Sequence, residues 1–113
     1  MLIGAGAVYI FTHWDKVLDW FRDFLPHVAN EIHKKVRPKT RYAAAVCAKI
    51  LDNDMAAIEH HLYVEEAQGW TETITTVKVP VKELPPRIRC KVNTDGESND
   101  ITDEMEAELG MSI

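Results

Sequence analysis

The feature that most constrains this chain is a change in the period of its apolar residues. From Trp14 onward, Trp14, Val17, Leu18, Phe21, Phe24, Leu25, Val28 and Ile32 fall on one stripe of a helix, while Asp15, Asp19, Arg22 and Asp23 take the opposite side. After Met55 the period becomes two: Ile58, His60, Leu62 and Val64 alternate with Glu59, His61, Tyr63 and Glu65. The same segment, Met55 to Glu66, can also be drawn as a helix. Ala67, Gln68 and Gly69 supply a turn, and Trp70 to Val79 is rich in Thr, Ile and Val and bounded by Pro80. The alternation predicts a hairpin from Ile58 to Val79, and a lone hairpin is marginal in water. Its apolar face therefore needs a cover, and the expected fold is α+β, with N-terminal helices packed on the hairpin.

The remaining segments fill in that frame. Pro26 lacks an amide hydrogen, which predicts a kink or break near Leu25. Tyr42 to Leu51 is alanine-rich, with Ala43, Val46, Cys47 and Ile50 on one helical face; a helix is expected there, capped by Thr40 and ended by Asp52, Asn53 and Asp54. Lys82 to Val92 places Leu84, Ile88 and Val92 four residues apart behind Pro85 and Pro86, the pattern of a short closing helix. Met1 to Phe11 is apolar and uncharged, and as a helix it reaches only about 16 Å, roughly half a bilayer core. It reads as a core helix, with an inserted membrane anchor as the alternative. It lacks the positive residues and small-residue cleavage site of a signal peptide.

A chain of 113 residues, 46% hydrophobic and 27% charged, is the size and composition of one folded domain. Its net charge of −5 is unevenly spread: seven of the 18 acidic residues and none of the 13 basic ones lie in Asn93 to Ile113. The expected organisation is a single domain over Met1 to Val92 and an acidic, flexible tail over Asn93 to Ile113. Thr102 can cap a short amphipathic helix in that tail, with Ile101, Met105 and Leu109 on one face. Such a stripe is too short to build a core alone and reads as disordered or as a ligand for a groove.

The chemistry-bearing residues do not assemble into a catalytic motif. His60 and His61 are adjacent and in a strand point to opposite faces, and His27 with Glu31 does not complete a zinc pattern, so no metal or other cofactor is expected. Cys47 and Cys90 are too few and too far apart for a disulfide framework and read as free thiols, Cys90 being the more reactive beside Arg89 and Lys91. No nucleophile elbow, Walker loop or dinucleotide fingerprint is present. The reading is a non-enzymatic protein-interaction or adaptor module, in the cytoplasm or peripherally at a membrane, with no small-molecule substrate inferred. Its partner-binding candidates are Trp14, Trp20, Lys34, Lys35, Arg37, Lys39, Arg41, Ile101, Met105 and Leu109. Alternatives are membrane association through Met1 to Leu25, and binding of nucleic acid or another polyanion through the basic run Lys34 to Arg41. The acidic tail is expected to compete for that basic run.

Overall fold

The computed structural model describes the backbone of residues 7–35, 41–66, 69–92 and 98–113, and the side chains of these residues apart from 33–35 and 66. The fold is α+β. A short strand β1 (Val8–Ile10) leads into a long helix α1 (Trp14–Lys35), followed by β2 (Tyr42–Ile50), β3 (Met55–Glu66) and β4 (Gly69–Pro80). A 3₁₀ turn (Val81–Glu83) and a one-turn helix α2 (Pro86–Arg89) precede β5 (Asn99–Asp100) and a final helix α3 (Thr102–Leu109). The five strands form one mixed sheet in the order β1-β4-β3-β2-β5, with β1 parallel to β4 and the other pairs antiparallel.

The stripe on α1 does what its spacing demands. Trp14, Val17, Phe21 and Leu25 pack on Val46, Ala48, Ala56, Ile58, Val77 and Val79 of the sheet, and Val28 and Ile32 pack on Leu62 and Val64. Each large side chain so buried contributes about 1.5–3 kcal/mol against leaving it exposed. Of the kink or break expected near Leu25, the break does not occur: the helix runs continuously from Trp14 to Lys35 with Pro26 inside it. Pro26 and Arg22 are both exposed, so the Arg22 carbonyl that proline leaves without a helical donor faces water.

Three further expectations are corrected. Tyr42–Ile50 is a strand, paired residue for residue with β3 from Tyr42 opposite Val64 to Ile50 opposite Ala56. An isolated ten-residue alanine helix is marginal, whereas the strand gains a full ladder and buries Val46 and Ala48 beneath the helices. Asp52, Asn53 and Asp54 are then a hairpin loop, with Asn53 (φ 61°) and Asp54 (φ 58°) in the left-handed region that Asn and Asp tolerate. Within Met1 to Phe11, residues 8–10 form an exposed edge strand where a core helix was expected; residues 1–6 lie outside the described residues.

The third correction concerns the acidic tail. Asn99 and Asp100 pair with Ala48 and Cys47 at the edge of β2, and Ile101, Met105 and Leu109 are buried in the same core as Trp14, Val46 and Ile88. The stripe read as disordered or as a groove ligand is used inside this chain, because Leu84, Ile88 and Val92 complete the apolar surface it needs. Residues 93–97 lie outside the described residues. The Thr102 hydroxyl does not cap its own helix; it accepts a hydrogen bond from the Val46 amide at 3.0 Å, and the Asp100 carboxylate accepts one from the Thr102 amide at 2.8 Å. Asp100 is thereby held below the usual carboxylate range.

Candidate interaction surfaces

The helices bury the inward face of the sheet, and strand alternation turns the other residues to a face that none of the described helices covers. Cross-strand register arranges that face in rows: Val8, Thr76, Glu59 and Cys47; Ile10, Lys78, Ala57 and Lys49; Ile74, His61 and Ala45; Glu72, Tyr63 and Ala43. Ala57 is nearly sealed because its cross-strand neighbours are Lys49 and Lys78, long side chains able to lay their stems over a small one. At the edge, Val8 and Ile10 are 51% and 67% exposed. At the hairpin end, Trp70 is 54% exposed and the Arg41 guanidinium lies 5.7 Å from its ring centroid. Arg41 also donates from Nε to Glu65 Oε2 at 2.7 Å, and its Nη2 contacts the same carboxylate.

The centre of the face is polar. His61 sits between two carboxylates, with Nε2 3.4 Å from Glu59 Oε1 and Nδ1 3.7 Å from Glu72 Oε2; Glu59 also pairs with Lys49 at 3.4 Å. A hydrogen bond with Glu72 pushes the Tyr63 phenol above its ordinary value, so it stays protonated. Burial pushes the Cys47 thiol up, the opposite of what an activated thiolate requires. Cys47 and Cys90 are both free thiols, Cys90 being exposed. Among the described residues no group of three or more His, Cys, Asp or Glu side chains is placed to hold a metal ion.

The residues proposed from sequence for partner contact do not form a surface: Trp14, Ile101, Met105 and Leu109 meet in the core. Trp14 is a core residue, and its indole donates to Glu108 Oε1 at 3.3 Å, so it is not a free anchor. Trp20 is half-buried in an aromatic row, stacked on Phe24 at 4.4 Å and tilted against Tyr9 at 5.1 Å. Ile101, Met105 and Leu109 are enclosed in the core, as described above. Lys34 and Lys35 lie in the last turn of α1, Arg37, Lys39 and Thr40 lie outside the described residues, and Arg41 is engaged with Glu65 and Trp70. The acidic residues of α3 find other cations: Glu108 meets Arg87 at 3.3 Å and Glu104 meets Lys91 at 3.9 Å. These contacts tie α3 to the segment around α2 and oppose the expected competition for Lys34 to Arg41. Sequence reasoning missed Trp70, although a signal existed: it shares parity with Glu72, Thr76 and Lys78, so a large aromatic ring stands on the polar face of an alternating strand.

A second concave feature lies on the opposite side of the sheet, between α1 and strands β2 and β3. It encloses about 420 Å³ and is lined by apolar side chains from Leu25 to Ile32, by Ala44 and Leu62, and by the chain end at Met111 to Ile113. His60 faces it. Among the described residues, no helix is long and apolar enough to cross a membrane. Comparison of the chain with protein-family models, with curated proteins and with solved structures gave no match.

Proposed function

We propose that the protein is a non-enzymatic protein-binding module whose contact surface is the uncovered face of the sheet. The observation that carries this reading is the half-exposed Trp70 beneath Arg41 on a face that none of the described helices covers. Trp, Tyr and Arg dominate the energetics of protein interfaces, and Tyr63 and Arg41 flank Trp70 here. Charge on the face is of both signs, Lys49 and Lys78 against Glu59, Glu65 and Glu72, which suits a protein surface better than the single-signed charge of a polyanion. Exposed Val8 and Ile10 add a second apolar patch at the β1 edge of the same face, across the polar centre from Trp70.

Photo-crosslinking tests the reading. A benzophenone side chain replacing Trp70 should capture a protein partner, or a second copy of the chain, whereas the same group replacing the exposed Asp103 on α3 should not. Capture at position 70 should be lost on adding Ile10→Lys, and the purified partner should bind wild type at least about tenfold more tightly than a Trp70→Ala variant, the loss of about 1.4 kcal/mol typical of an interface anchor. Capture from both positions alike, or from neither, overturns it. Binding to lipid vesicles that is lost with Val8→Ser and Ile10→Ser would favour the membrane alternative.

A further inference from the structure

The pocket beneath α1 joins an apolar wall to one buried polar group. Leu25, Val28 and Ile32 face Ala44 and Leu62 across a space of about 420 Å³, within the range of about 300–1,000 Å³ found for small-molecule sites. Among the described residues no Lys, Arg, Asp or Glu side chain lines it, and its rim carries the hydroxyls of Tyr42 and Ser112, both exposed. His60 is only 2% exposed, and its ring is met edge-on by Phe24 at 5.1 Å. Among the described residues none hydrogen-bonds the His60 ring. His60 is one of the residues that line this pocket. Burial holds the imidazole at about 4, well below its ordinary value, with the nearby His61 adding to the effect. At neutral pH it therefore presents one N–H donor and one bare nitrogen acceptor.

A buried imidazole that no described residue hydrogen-bonds is destabilising unless something completes it. Among the described lining side chains an anion would find no cation, and a charged group on an otherwise apolar wall would lose its hydration with no side-chain partner. We propose that this pocket binds an uncharged, largely apolar small molecule whose single hydrogen-bonding group pairs with the ring of His60. The site lies on the opposite side of the sheet from the protein-binding face and does not depend on it.

Titration of the full chain with N-phenyl-1-naphthylamine, an uncharged aromatic amine that brightens in apolar surroundings, tests this directly. Emission should rise and saturate at one probe per chain. His60→Leu, which removes the polar partner, should weaken binding about fivefold, the scale of one neutral hydrogen bond. Ala44→Phe, which fills the pocket, should abolish it. In nuclear magnetic resonance spectra of wild type, the probe should shift the His60 ring and the methyl groups of Leu25, Leu62 and Ile113. This mapping decides the matter even if Ala44→Phe fails to fold by circular dichroism. Absence of saturable binding, binding unchanged in both variants, or shifts confined to Trp70 and Ile74 on the other face would each overturn the proposal.

Discussion

His60 and His61 are chain neighbours with opposite surroundings, and the period of a strand is the whole reason. One turns inward against Phe24 and is held neutral; the other turns outward between Glu59 and Glu72. The inward one makes stability depend on pH. The folded value of about 4 lies below the unfolded value of 6.5, so above pH 6.5 both states are neutral and the contribution is complete. As pH falls through 6.5 the unfolded chain takes a proton that the folded chain refuses. Stability is lost until about pH 4, where the folded state also protonates and the loss stops. The difference amounts to roughly 3–4 kcal/mol at about 1.4 kcal/mol per pH unit. Urea midpoints should therefore fall between pH 6.5 and pH 4, and His60→Phe should flatten that fall. An unchanged slope in the variant would show that the proton is taken up elsewhere. Asp100, whose pKa is lowered from 3.8, acts below this window and does not confuse it.

At the scale of elements, α3 shows how a short helix is fixed by its surroundings. Eight residues do not hold a helix in water, and this one is anchored at its first residue, where Thr102 Oγ1 satisfies the Val46 amide. Thr102→Val keeps the shape and removes the acceptor, leaving the Val46 N–H without it. A loss of about 1–3 kcal/mol in denaturant unfolding is expected, larger than that of Thr102→Ser, which keeps the hydroxyl. Met105→Ala, at a fully enclosed position, should cost about 2–5 kcal/mol through lost contacts and a residual cavity. If both substitutions left the midpoint unchanged, α3 would not be part of the cooperative fold. Strand β2 makes the complementary point: alanine propensity favours helix, and pairing along its length with β3 overrides it.

For the molecule as a whole, the last sixteen residues are part of the fold and send three side chains into its core. Ile101, Met105 and Leu109 cover Trp14, Val46 and Ile88, and Arg87 with Glu108 and Lys91 with Glu104 close the rim. Ending the chain at Val92 would expose that surface and remove the strand at the edge of β2. Such a truncation should lose its cooperative thermal transition, or melt far below the full chain, by calorimetry. A truncated chain that melted as the full one does would restore the picture of an independent tail. The same arrangement leaves the opposite sheet face bare, so packing on one side and exposure on the other arise together.

Local periodicity pointed to a helix from Trp14, though with a kink or break at Pro26, to the hairpin of β3 and β4, though Met55 to Glu66 also admitted a helix, and to a short helix in Lys82 to Val92, of which Pro86–Arg89 is α-helical. These segments carry their own signal, since the residues that pack are spaced at the period of the element. The sequence also determined that the two histidines would part. What it left open had its cause elsewhere in the chain. Tyr42–Ile50 is a strand because β3 lies beside it, Thr102–Leu109 is a core helix because β2 and α2 supply the surface it covers, and Pro26 is tolerated because its side of α1 faces water. The uncovered face with Trp70 and the pocket at His60 are likewise products of tertiary structure. Each is defined by which side of the sheet the helices bury, a choice made by the summed contacts of segments far apart in the chain, with no local pattern to announce it.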